Sequence, residues 1–312
     1  MADVIHNTAD LSVKIAGVEF QNPVITASGT YGNGECYTDL YPISKLGGIS
    51  CKGMTISPRI GNPPPRIAEC ASGILNSVGL QNYGVDTFIE YYLPTLKKEG
   101  GKCVIIANVA GAVIDDYVKA AEALDKSDID MIELNISCPN VKAGGAAWGV
   151  SAEGAASVTR AVRAATKKPL VVKLTPNVTD VTEIAKAVEA EGADAISLIN
   201  TLLGMRIDIR TKRPILRNNT GGLSGAAVFP VAVRMVWQCY NAVKIPIIGL
   251  GGISTWEDAV EMMLAGASAI QVGTVLMSDP YAPIKIIDGL SEYMTANGVR
   301  SLSELTGAVK PW

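Results

Sequence analysis

Met131-Ile-Glu-Leu-Asn-Ile-Ser-Cys-Pro-Asn140 alternates Ile132, Leu134 and Ile136 with Glu133, Asn135 and Ser137, the period-two mark of a β-strand. Pro139 has no N–H to give a sheet ladder, so the strand stops there and the small-residue run 141–150 begins. Cys138 therefore falls at the C-terminal lip of a strand, which in parallel α/β proteins is where ligands bind. A thiol starts from a pKa of about 8.5 and is lowered by suitable neighbours into the range where it takes protons. Asn135 and Asn140 flank it with amides that both donate and accept, which suits a planar ligand bearing carbonyl and N–H groups. The plainer alternative is a buried, inert cysteine beside a turn proline.

Outward from this stretch, strand and helix signals alternate to the end of the chain. Eight short apolar runs, 23–28, 48–53, 103–109, 131–137, 170–175, 195–200, 246–251 and 269–273, read as strands. Between most of them lie helical patterns, at 115–123, 152–166, 181–190, 227–243 and 256–264, followed by Gly or Pro. Residues 11–15 and 18–20 around Ala16-Gly17 predict a hairpin, placed to plug the bottom of a barrel. A length of 312 residues suits one large barrel or two ordinary domains. Eight βα units in about 250 residues match a (β/α)8 TIM barrel better than an open doubly wound sheet. The N-terminus also lacks the GxGxxG turn of a dinucleotide fold.

Composition narrows the function. Forty-eight per cent apolar residues and 31 glycines indicate a large core with many tight turns. A net charge of −3 gives no electrostatic case for nucleic acid or anionic lipid. Six cysteines, at 36, 51, 70, 103, 138 and 239, include no CxxC pair, so neither zinc nor an iron–sulfur cluster is expected in this chain. With neither a signal peptide nor an apolar run of about 18 residues, the chain reads as cytoplasmic with reduced thiols. The one histidine, His6, sits in a polar leader, which leaves proton transfer to Cys, Lys, Tyr or a carboxylate.

In a barrel, chemistry is carried by strand ends and the loops after them. Those positions hold Ser28, Lys52, Asn108, Asn135 with Cys138, Lys173, Asn200-Thr201, Gly251-Gly252 and Gly273-Thr274. Lys52 and Lys173 interrupt apolar runs, which is costly unless each meets an anion. The glycine turns after strands 7 and 8 suit a phosphate held on backbone N–H groups, and Ser254 or Thr255 would cap a following helix whose N-terminus adds to that seat. Gly221-Gly-Leu-Ser-Gly225 offers further donors, although tight turns alone would also account for such glycines. The loop 58–84, with Pro63-Pro-Pro65 and Asn76-Ser-Val-Gly-Leu-Gln-Asn82, predicts a rigid extended excursion reaching over strand 2. The run 142–149 has the composition of a lid, closed by Trp148.

Together, Asn135-Ile-Ser-Cys-Pro-Asn140, Asn76-Ser-Val-Gly-Leu-Gln-Asn82, Lys52-Gly53, Asn200-Thr201, Gly221-Gly-Leu-Ser-Gly225, Gly251-Gly252 and Gly273-Thr274 resemble class 1 dihydroorotate dehydrogenases across essentially the whole chain. The form of the second motif and of Asn140-Val-Lys-Ala-Gly-Gly145 is most similar to the class 1B catalytic subunit, with Trp148 standing where phenylalanine is expected. Class 2 enzymes carry a serine base and a membrane-associating extension, and the sequence shows neither. The resemblance implies one FMN-binding barrel domain over residues 1–312 that oxidises dihydroorotate to orotate in pyrimidine synthesis. It implies Cys138 as the base that takes the C5 proton while hydride leaves C6 for the flavin. Lys52, Asn76, Ser77, Val78, Gly79, Leu80, Asn135, Asn200 and Thr201 would then hold the substrate. Ser28, Lys52, Gly53, Asn108, Asn135, Lys173, Ile199, Gly225, Gly251, Gly252, Gly273 and Thr274 would hold FMN, with Lys173 at the N1–C2=O edge. It further implies a homodimer core within a heterotetramer, whose partner subunit carries FAD and a 2Fe–2S cluster and passes electrons to NAD+. Three other readings stay open: a class 1A homodimer reducing fumarate, a barrel aldolase with Lys173 as Schiff-base lysine, and a non-catalytic flavin- or phosphate-binding scaffold.

Overall fold

The computed structural model describes residues 9–137 and 148–312. Eight parallel strands close into a barrel: β1 (Val24–Thr26), β2 (Gly48–Ser50), β3 (Val104–Val109), β4 (Met131–Asn135), β5 (Leu170–Lys173), β6 (Ala195–Leu198), β7 (Ile247–Leu250) and β8 (Ala269–Val272). Each pairs with the next in the chain and β8 closes on β1, with Ile270 opposite Val24. Every one of the eight apolar runs supplies its strand. Each regular ladder ends ahead of the last residue of its run, except in β3, so the residues that close those runs fall at the C-terminal mouth.

A barrel strand has two buried faces, and they differ here. Ile132 and Leu134 of β4, and Ile136 just beyond it, point outward and join Val158 and Val162 of helix Ala152–Ala165 in the layer between sheet and helices. Period-two alternation sends Met131, Glu133 and Asn135 to the barrel interior. The lowest interior layer is apolar: Ile25, Val104, Ile106, Met131, Val171, Ala195, Ile248 and Ala269 pack against Ile15 and Phe20 of the N-terminal hairpin. That hairpin, Val13–Ile15 paired with Val18–Phe20, turns at Ala16 and Gly17 and plugs the bottom of the barrel as its sequence predicts.

Helices Val181–Ala190 and Trp256–Leu264 have the predicted bounds. The pattern at 227–243 instead divides into a 3-10 turn, Ala226–Val228, and the helix Phe229–Tyr240, with Pro230 in its first turn, where no N–H is needed. The excursion 58–84 is more ordered than a proline-stiffened loop. Ile67–Cys70 and Gly73–Asn76 form a hairpin that joins Gly221–Ser224 and Leu202–Gly204 in a four-stranded antiparallel sheet. The sheet stands beside the C-terminal mouth, with Asn76 opposite Gly222.

Candidate active site

The mouth holds a cavity of about 1200 Å³, counting its opening to solvent. Of the residues singled out from sequence, Ser28, Lys52, Gly53, Asn76, Val78, Gly79, Leu80, Asn135, Lys173, Ile199, Asn200, Thr201, Gly251, Gly252, Gly273 and Thr274 all line it. Three lie just off its walls. Ser77 is buried, Asn108 sits deeper in the barrel, and the Gly225 carbonyl lies under Gly252. Cys138, Asn140 and most of the proposed lid, residues 142–147, lie outside the described residues, as does His6. Trp148 is half-buried and packs on the core.

The amides of the mouth are held in series. Asn200 Nδ2 donates to Ser137 Oγ at 2.8 Å, Ser137 Oγ to Asn135 Oδ1 at 2.9 Å, and Asn135 Nδ2 to Asn108 Oδ1 at 3.3 Å. Asn108 Nδ2 in turn donates to Glu133 Oε2 at 2.6 Å. The series runs from the position next to Cys138 down to a fully buried carboxylate that the sequence reading passed over. Glu133 also accepts from Ser50 (2.7 Å), Ser197 (2.7 Å) and Gln271 (2.7 Å), and Lys173 Nζ lies 3.8 Å away. Burial alone would raise this carboxyl, but Lys173 and the hydrogen bonds from Ser50, Ser197 and Asn108 outweigh it and hold the group below the ordinary glutamate value. The signal available in the sequence was polar residues at interior positions of strands that are otherwise apolar.

The glycine turns are shaped for close backbone approach. Gly252 has φ +82°, and a Cβ there would stand 2.8 Å from Phe229 and 2.9 Å from the Gly225 carbonyl. At Gly53 a Cβ would come within 2.8 Å of Asn108 Oδ1. Thr274 Oγ1 donates to Ser224 Oγ at 2.8 Å, tying the turn after β8 to the neighbouring sheet. Thr255 does cap helix Trp256–Leu264, but the Ser254 and Thr255 N–H groups both donate to Asp258. That helix end is therefore already neutralised from within, and an anion is left to the glycine turns. Among the other cysteines, burial pushes the Cys51 and Cys103 thiols up, and that of Cys239 to about 12, so none of the three is a base near neutrality.

The lining of the cavity suits a flavin that bears a phosphate. Glycine turns suit its phosphate. Gln271 Oε1 is buried on the cavity lining without a partner, an acceptor awaiting a ring N–H. Lys173 supplies positive charge beside it.

Amides, two lysines and phosphate-shaped turns converging on the C-terminal mouth define a (β/α)8-barrel enzyme acting on small polar ligands. A family model for dihydroorotate dehydrogenase matches residues 10–294. The chain is 58% identical over 303 residues to the protein of Bacteroides thetaiotaomicron named dihydroorotate dehydrogenase B (NAD(+)), catalytic subunit, covering 97% of this chain and 99% of that one. Proteins of the same name from Parabacteroides distasonis and Alkaliphilus metalliredigens are 58% and 53% identical, over 96% of this chain and 98% and 99% of theirs. The chain belongs to the dihydroorotate dehydrogenase family, a family of oxidoreductases. Membership removes the aldolase reading of Lys173 and the non-catalytic scaffold.

Proposed function

We propose that this chain is the catalytic subunit of an NAD+-linked dihydroorotate dehydrogenase that binds FMN at the barrel mouth. The observation that carries the reading is the single cavity that joins both lysines, the mouth amides and the glycine turns of β7 and β8. Gly251-Gly252 and Gly273-Thr274 would hold the phosphate, with Gly225 supporting Gly252. Ser28, Gly53, Asn135, Lys173 and Ile199 would line the ring site, and Asn108 would set the orientation of Asn135. When bound, the flavin supplies the hydride acceptor that no side chain provides.

The chain's own residues do the rest. Asn76, Asn135, Asn200 and Thr201 hold the pyrimidine edge, with the 77–80 backbone beside them. Lys52 neutralises the substrate carboxylate. Cys138 takes the C5 proton as hydride leaves C6, so that the ring gains its double bond with charge and atoms balanced. The names of the relatives, with their NAD(+) and their catalytic subunit, support a partner that carries electrons onward; FAD and a 2Fe–2S cluster in that partner are what the resemblance of the sequence implies. The exposed apolar side chains of Leu203, Met205, Ile207 and Ile209 support a homodimer at the centre of that heterotetramer.

The test is spectroscopic. The purified chain is expected to be yellow and to bleach on anaerobic addition of dihydroorotate. Cys138→Ser is expected to keep the colour and bleach on the order of 10²–10⁴ times more slowly. A colourless wild-type chain, or a serine variant that bleaches at the wild-type rate, overturns the reading.

A further inference from the structure

Glu133 lies at the centre of a polar layer contributed by six of the eight barrel strands. Ser50 of β2, Asn108 of β3, Lys173 of β5, Ser197 of β6 and Gln271 of β8 all meet its carboxylate. Glu133, Ser50, Asn108 and Ser197 have no exposed surface. Both carboxylate oxygens are shared out: Oε1 takes Ser197 and Gln271, and Oε2 takes Ser50 and Asn108. Two of its partners, Lys173 and Gln271, also line the cavity, and a third, Asn108, accepts from Asn135, which lines it as well.

The geometry of these contacts is directional. Gln271 gives its amide N–H to Glu133, which turns its carbonyl away, and that carbonyl is the buried acceptor without a partner. Lys173 Nζ, at 3.8 Å, is paired with the carboxylate by charge and too distant for a hydrogen bond, while the same side chain reaches the cavity wall. A core that needed only filling would be served by aliphatic groups at lower desolvation cost. One carboxylate thus fixes a cation, a carbonyl acceptor and an amide on the floor of one cavity.

We infer that Glu133 is a positioning residue that sets the reduction potential of the bound flavin, acting through Lys173 and Gln271, which it holds as a cation and an acceptor against the ring. The inference rests on the flavin site proposed above. Glu133 contributes one negative charge behind the cavity wall that would hold a ring becoming more negative on reduction. Its removal leaves Lys173 uncompensated and favours the reduced form.

The experiment compares the holoprotein with Glu133→Gln and Glu133→Asp by equilibrium reduction against a reference dye. Glu133→Gln is expected to shift the oxidised-to-reduced equilibrium at least tenfold toward reduced flavin, about 30 mV for a two-electron couple. Glu133→Asp, which retains the charge, is expected to stay within threefold of wild type. A structural role alone would lower the melting temperature of both variants and leave the equilibrium within twofold, which would overturn the inference. If Glu133→Gln does not fold, Gln271→Met decides: at least fivefold weaker FMN binding supports the proposal, and unchanged binding sinks it. A wild-type chain that binds no FMN removes the flavin reading itself, whereas flavin bound with an unmoved potential removes only the role of Glu133.

Discussion

A carboxylate with no surface in the middle of a barrel makes a specific demand on pH. The folded Glu133 carboxyl is held below its ordinary value of 4.5, so its contribution to stability is fully present above that value and is lost as pH falls through the folded pKa. Glu133→Gln removes the charge and leaves Lys173 buried without its counterion, a change costing about 3 kcal/mol near neutrality. Denaturant unfolding at several pH values checks this. The stability gap between wild type and variant is expected to be widest near pH 7 and to narrow steadily below about pH 4.5. A gap that stays constant or widens on acidification would show that the carboxyl is not charged in the folded protein. At this same scale Lys52, Lys173 and the mouth amides were legible in the sequence, because each interrupts or ends an apolar run. Glu133, Ser50, Ser197 and Gln271 were not, since alternation within one strand cannot say which face turns to the barrel axis. Here the polar face turns inward and the apolar one meets the helices.

The hairpin at the N-terminus is the element whose role the sequence made plainest, because apolar residues alternate on both sides of an Ala-Gly turn. Phe20 has no exposed surface and packs under the barrel on Ile25, Ile106 and Met131. Phe20→Ala is expected to cost about 3–5 kcal/mol in urea unfolding, through lost burial and the cavity left behind. FMN affinity at the opposite mouth is expected to stay within twofold, and a large loss of affinity would mean that the plug shapes the site. The sheet beside the mouth was less legible. Its strands, Ile67–Cys70, Gly73–Asn76, Leu202–Gly204 and Gly221–Ser224, come from two excursions more than a hundred residues apart. The proline and glycine content marked 58–84 as an extended excursion and 221–225 as a glycine-rich run, but nothing local states that Leu75 pairs with Leu223.

At the scale of the molecule, the proposed function requires a route by which electrons leave the barrel. Among the described residues there is no group of three or more metal-ligating side chains, and no helix is long and apolar enough to cross a membrane. The chain covers nearly the whole of relatives whose names pair NAD(+) with the words catalytic subunit. Electrons leaving the barrel mouth toward NAD+ would then pass through another polypeptide. The isolated chain is expected to reduce a soluble dye with dihydroorotate and to reduce NAD+ at less than about a hundredth of that rate. Coexpression with an FAD- and iron–sulfur-containing subunit is expected to bring NAD+ reduction to the dye rate, in an assembly whose mass by sedimentation is two chains of each kind. Rapid fumarate reduction by the isolated chain, together with no gain from the second subunit, would place the protein in the class 1A pattern and leave the chemistry of the barrel mouth as proposed.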